Sequence, residues 1–300
     1  MGRTAPLLVL AVAVAWGGGT AVAQMPVTGH YPPGQSGIRG ASTPDPGSTL
    51  TNFSRFFTNL EGVGGGSEAP NGDVHELRYA NISMFTWTSN RTVLGLRYGA
   101  LAGIPVATGD ISSGQAPAFG LGDVLVTPIA LYGKSASFDH QLQFTVWTPS
   151  GHFSPGSARN RGTGFWALVY SLGGVYYPGG NRQATSISVV ARAEQNFQQR
   201  GTGIRPGNDI VVDWGIGRMF HPGDRRLDIG VSGFGDWQLS SQEGGAADVE
   251  PLRYRLLGAG PEASLTITDA LSARVRAHWE FAARNIVRGN NLWIILNYRL

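Results

Sequence analysis

The chain has no cysteine, a single lysine (Lys134), and charged residues at only 14%. Without cysteine there are no disulfides and no thiolate sites; this is compatible with the periplasm and the outer membrane. The charge share is about half the usual roughly 25%, and the net charge of +3 is too small and dispersed for a nucleic-acid partner. Beyond the first residues no run approaches the roughly 18 apolar residues of a transmembrane helix. The six histidines (His30, His75, His140, His152, His221, His278) lack metal-ligand spacing, so neither a metal nor a cofactor is expected. The string Gly62–Gly66 has no following Lys-Ser/Thr and no strand–helix context, which excludes a phosphate loop and leaves a long loop.

What the chain does have is glycine, 44 of 300 residues, and alternation of apolar and polar positions. Period-2 patterning predicts twelve strands near 49–60, 75–88, 92–106, 121–133, 138–150, 163–178, 183–199, 208–220, 226–240, 251–267, 271–284 and 290–300. A strand of that length crosses a bilayer when tilted. The joints alternate. Tight ones fall at 89–91, 133–137, 178–182, 221–225 and 268–270. Long ones fall at 62–74, 107–120, 151–162, 200–207, 240–250 and 284–289. An even-stranded antiparallel barrel sorts all tight turns to one rim and all long loops to the other. The expected fold class is therefore all-β: a transmembrane, antiparallel, up-and-down β-barrel over 49–300, in the outer membrane of a Gram-negative bacterium. Both chain ends are expected on the periplasmic rim and the long loops outside.

Residues 1–23 read as a signal peptide. Arg3 supplies the positive end, Leu7–Ala15 the short apolar core and Ala21-Val22-Ala23 the small-residue cleavage site. Residues 24–48 are rich in Pro and Gly and have no strand period, so they form a periplasmic leader or a lumen plug.

Charges assign the faces, because an arginine facing mid-bilayer lipid costs about 2–4 kcal/mol. Ser272, Arg274, Arg276, His278 and Glu280 oppose Leu271, Ala273, Val275, Ala277, Trp279 and Phe281, so the charged face is the inner one. The same reasoning turns Arg192 and Glu194, and Asp228 and Asp236, inward. The inner-wall candidates are Arg78, Arg97, Arg192, Glu194, Asp213, Asp228, Asp236, Arg253, Arg255, Arg274, Arg276 and Glu280. They either select permeants or pair structurally. Arg253, Arg255, Arg274 and Arg276 are expected to cluster on adjacent strands, where they either have carboxylates nearby or form an anion-attracting patch. Phase changes near Pro128 and Gly258–Pro261 predict β-bulges there. Aromatics near strand ends (Trp87, Trp147, Phe153, Trp166, Tyr176, Tyr177, Phe197, Phe220, Trp237, Trp293) suggest an approximate interfacial girdle, with Trp147 and Trp293 on the inward register. Leu292, Ile294, Leu296, Tyr298 and Leu300 resemble the terminal signal read by outer-membrane assembly machinery, and this strand is expected to close the barrel against the first.

Several segments resemble one family. Gly120-Leu121-Gly122-Asp123, followed by Pro128 and Leu131, is similar to a "GxGD-x-x-x-x-P-x-x-L" strand. Thr148-Pro149-Ser150-Gly151-His152-Phe153, Asn160-Arg161-Gly162 with Trp166, Leu257-Gly258-Ala259-Gly260-Pro261 and His30-Tyr31-Pro32-Pro33-Gly34 resemble further elements of the same family in the same order. It is the phenol meta-pathway (MetA-like) family of outer-membrane transporters. The resemblance implies a barrel that admits small hydrophobic or aromatic compounds, with outer-membrane lipids around it. No energy-coupling motif is present, so passage would be passive. The alternatives are a lipid-modifying enzyme using His152 and Ser154 as base and nucleophile, or a structural or adhesive barrel. No catalytic set is expected; Asp123 reads as a turn-stabilising residue.

Overall fold

A computed structural model describes residues 27–64, 72–111, 119–157, 159–244 and 252–300. The export signal expected over 1–23 lies outside the described residues. Twelve long strands form the wall: β1 (Gly47–Val63), β2 (Gly72–Val93), β3 (Leu96–Asp110), β4 (Leu125–Lys134), β5 (Phe138–Trp147), β6 (Ala167–Tyr176), β7 (Thr185–Asn196), β8 (Asp209–Phe220), β9 (Leu227–Gln238), β10 (Arg255–Thr266), β11 (Leu271–Arg284) and β12 (Asn290–Arg299). Short pieces at Gly120–Leu121 and Ile286–Arg288 extend the edges of β3 and β1. No helix among the described residues is long and apolar enough to cross a membrane.

Each strand runs antiparallel to the next, and β1 pairs with both β2 and β12. The closing ladder runs from Thr49 opposite Arg299 to Phe57 opposite Asn291. Closure removes both free edges, which a hydrocarbon environment demands. The terminal strand therefore closes on the first, as its sequence suggested. Its outward row of Leu292, Ile294, Leu296 and Tyr298 is exposed, while Asn291, Trp293 and Ile295 are buried inside. Alternation holds equally in β7, β9 and β11, with Val189, Val231, Val275 and Trp279 outward.

Two local expectations need correction. The first tight turn is at Leu94-Gly95, not 89–91. Both residues have positive φ (52° and 77°), and β2 runs on past a register shift between Thr88 and Thr92. A bulge does form beside Pro128, where the register with β5 shifts between Val126 and Ile129. None forms at Pro261. There the ladder to β11 skips two residues on each strand, from Ala259–Trp279 to Glu262–Arg276, and resumes in register. The phase of β10 is therefore unbroken. Tyr254, Leu256, Gly258 and Glu262 are buried inside, and Pro261 faces out.

Candidate functional site: the lumen and its leader

A Pro/Gly-rich segment cannot satisfy its own backbone donors, and buried N–H groups must find acceptors elsewhere. Residues 27–46 meet that demand against the inside of the barrel. Six leader N–H groups donate to four wall carboxylates. His30 and Tyr31 donate to Glu194 (2.7 and 3.1 Å), and Gly34 and Ser36 to Asp213 (2.8 and 2.9 Å). Ile38 donates to Glu262 (3.2 Å) and Thr43 to Asp139 (3.3 Å). Side chains add to this. The Tyr31 hydroxyl donates to Asp213 at 2.7 Å, and Arg39 Nε donates to Asp228 at 2.9 Å. Arg276 donates to the Gly34 carbonyl, and Arg97 to that of Pro44 at 2.6 Å. Gly215 and Gly217 on β8 leave the room in which Gly37 and Ile38 lie; a Cβ at either would collide with them.

The leader crosses the whole lumen. Val27 N–H donates to Gln242 in the long loop after β9, while Pro44 lies against β3 near its tight turn. The barrel's two ends are on the tight-turn rim, as the strand count requires. The described chain nevertheless starts at the opposite rim. Over residues 27–46 the leader therefore doubles back through the pore.

Four of the quoted motifs meet at the long-loop rim. Asp123 of the Gly-x-Gly-Asp segment accepts hydrogen bonds from Gly151 N (2.8 Å), Thr163 N (2.6 Å) and the Thr163 hydroxyl (2.8 Å). Gly151 and Gly162 pack backbone against backbone: a Cβ at 162 would stand 2.8 Å from the Gly151 Cα. His30 closes the knot, with Nε2 3.3 Å from Asp123 and 2.6 Å from the Thr163 hydroxyl, and Nδ1 2.9 Å from Glu194. Its ring stacks on Trp147 and meets Phe165 edge-on. Burial alone would push His30 down, but the hydrogen bonds and charges of Asp123 and Glu194 outweigh it and raise its pKa to about 8. Burial likewise opposes ionisation of Asp123, yet its hydrogen bonds from His30, Thr163 and Gly151 hold its carboxyl below the ordinary range. Asp123 thus ties two loops and the leader together, more than the turn its sequence suggested.

Ten of the twelve wall candidates face the lumen or its rims. Arg192 pairs with Asp213 at 3.1 Å, and Arg276 with Glu262 at 2.7 Å, the latter pair wholly buried. Arg274 lies 3.3 Å from the other Glu262 oxygen. Asp228, Glu194 and Arg97 hold the leader, and Arg78 pairs with Glu76 at 2.9 Å near the long-loop rim. Glu280 receives Arg55 at 4.0 Å and the Asn291 amide, and Asp236 is buried on β9. Arg253 and Arg255 are the exceptions. Both are exposed on the outer side of the rim, with Arg255 Nε donating to the Ala282 carbonyl. The four-arginine patch is therefore split. The unbroken phase of β10 turns Tyr254 and Leu256 inward, and a charge near the interface costs only about 0–1 kcal/mol. Tyr177 also departs from the girdle: it is buried, with its hydroxyl near Ser42 and Asp139.

Sequence reasoning passed over Asp139, Asp209, Glu262 and the inner apolar wall. The inner face of β1–β6 carries Phe53, Ile82, Met84, Leu101, Leu125, Trp147 and Val169 as an internal cluster. The leader leans mainly on β7–β11 and leaves a cavity of about 150 Å³ against this apolar cluster, with Arg192 also on its lining. The cavity also holds Gln141, Gln143 and the hydrogen-bonded pair Thr127–Thr145 (2.6 Å). A second cavity of about 400 Å³ lies toward the long loops, beside Pro32 and Pro33. His152 and Ser154 are both exposed in the loop after β5, and no hydrogen bond joins their side chains among the described residues.

Residues 58–296 match the family described as "Putative MetA-pathway of phenol degradation". The chain belongs to that family. Its fold is similar to that of the COG4313 outer membrane channel from Pseudomonas putida F1. The two are 13% identical with a TM-score of 0.71, over 90% of this chain and 100% of the channel. The β domain of the Bordetella autotransporter BrkA aligns with a TM-score of 0.48 and 13% identity, over 85% of this chain and 100% of that one. No curated protein matches the chain in sequence. The family match and the closed twelve-strand barrel both agree with the resemblance carried by the motifs.

Proposed function

We propose that this member of the family is a passive outer-membrane channel for small hydrophobic or aromatic molecules, with its long loops outside and its tight turns in the periplasm of a Gram-negative cell. The carrying observation is the space the leader leaves open. It is lined by Phe53, Met84, Leu101, Leu125, Trp147 and Val169, with neutral polar groups among them and one charged side chain, Arg192, already paired with Asp213. An apolar enclosure with a few hydrogen-bonding groups suits a ring bearing one or two hydroxyls. A charged solute would lose its hydration there without a partner. In this reading the wall charges hold the leader rather than meet the permeant, and the leader narrows the bore to molecular size.

Reconstitution into lipopolysaccharide-containing liposomes tests the reading. Catechol should enter several-fold faster than sorbitol. Leu101→Trp should cut catechol influx by at least about tenfold, equivalent to about 1.4 kcal/mol, while the barrel remains folded. Equal influx of catechol and sorbitol would overturn the proposal.

A further inference from the structure

The larger cavity differs chemically from the smaller one. Around it most inward ions are matched: His30 with Glu194, Arg192 with Asp213, Arg78 with Glu76, and Arg55 with Glu280. Asp209 on β8 and Asp236 on β9 have no basic partner among the described residues. The internal segments outside the description (65–71, 112–118, 158 and 245–251) contain no Arg, Lys or His, so the sequence supplies none there either. Asp236 is 5% exposed, lines the cavity, and its Oδ1 has no hydrogen-bond partner. Asp209 is 2% exposed and directly opposite Glu194 in the ladder, an unfavourable juxtaposition of carboxylates. Its Oδ2 accepts one weak bond from the Asn196 amide, at 3.3 Å. The rest of the lining includes Phe57, Leu256, Ile286 and Val287.

We infer that this cavity is a binding site for a small organic ammonium ion with an apolar body. The ammonium faces Asp236 Oδ1 and Asp209, where it forms the charge-assisted bonds these carboxylates lack. The apolar body lies against Phe57, Leu256, Ile286 and Val287. A bare metal ion is poorly served, since no three His, Asp or Glu among the described residues are grouped to hold one. At about 400 Å³ the space exceeds a single-ring amine, so the ligand enters with some water. The inference uses the channel reading only for the route by which the ligand arrives; occupancy is measurable without any flux.

Calorimetry on the full chain folded in neutral detergent tests it, with benzylammonium, benzyl alcohol, benzoate and calcium chloride as titrants. Benzylammonium should bind one to one and at least about tenfold tighter than benzyl alcohol, about 1.4 kcal/mol, with no binding of benzoate. Asp236→Asn should abolish that advantage and Asp209→Asn should weaken it, in variants that keep the heat-modifiable mobility of a folded barrel. Single-channel recording of the unaltered protein gives a second reading: benzylammonium added at the long-loop side should interrupt the current, and benzyl alcohol should not. Equal affinities, an advantage that survives Asp236→Asn, displacement of benzylammonium by equimolar calcium, or identical current traces would each overturn the inference.

Discussion

His30 in the leader and Glu194 on β7 hold each other at 2.9 Å across 164 residues of sequence. The ion pair requires a charged imidazole. Its pKa of about 8, against an ordinary 6.5, means that this stabilisation is complete below about pH 6.5 and disappears as pH rises through 8. The difference corresponds to about 2 kcal/mol. Single-channel conductance should therefore rise between pH 7 and 9 as the leader's outer end loosens. His30→Gln should leave conductance nearly constant over that range.

Asp213 is the central anchor of the leader, accepting from Gly34 N, Ser36 N, the Tyr31 hydroxyl and Arg192. Asp213→Asn keeps the shape, removes the charge and leaves Arg192 unmatched. Breaking a buried ion pair costs about 3–5 kcal/mol. The variant should unfold at a lower temperature in detergent and conduct more, because the middle of the leader leaves the wall. Unchanged conductance would show that the leader does not limit the bore.

Glu262 and Arg276 form a fully buried pair that also holds Ile38 N and the Gly34 carbonyl. Glu262→Gln and Arg276→Met should each destabilise by about 3–5 kcal/mol, whereas the double change should cost well under their sum. Thermal unfolding of the four proteins completes the cycle. Additive losses would mean that the two residues act independently.

Gly162 is where three loop motifs touch. A Cβ there would stand 2.6 Å from Asp123 Oδ1 and 2.8 Å from the Gly151 Cα. Gly162→Ala should cost about 1–3 kcal/mol by overpacking and loosen the long-loop rim. Protease should then cut the loop after β5 in the variant under conditions that leave the unaltered barrel whole.

The wall was legible because each strand carries its own argument: charge cannot face mid-bilayer lipid, so β7, β9 and β11 assign their faces unaided. Where that penalty fades the argument fades too. Arg253 and Arg255 lie at a rim, where charge no longer dictates direction, and the aliphatic residues around Gly258–Pro261 imitate a phase break that the backbone does not make. Ser89-Asn90-Arg91 has good turn residues, but Leu94-Gly95 makes the turn because β2 continues past its bulge. The leader's path has no periodicity to read. One signal did point to it: the inward acids Glu194, Asp209, Asp213, Asp228, Asp236 and Glu262 outnumber the bases on their own strands, β7–β10, where only Arg192 faces the lumen. So lopsided a wall calls for donors, and a Pro/Gly-rich segment has unpaired N–H groups to give.

Val27 bonds to Gln242 at the long-loop rim while β1 begins at the opposite one. Between those two points the bore has to hold residues 27–46 at the width of a single chain. Assembly of this barrel then resembles threading a needle: residues 27–46 have to be seated before β1 meets β12, or be drawn through a ring already closed. At Gly37 there is no room for so much as a Cβ beside Glu262 and Arg276, so the passage admits little bulkier than the leader itself.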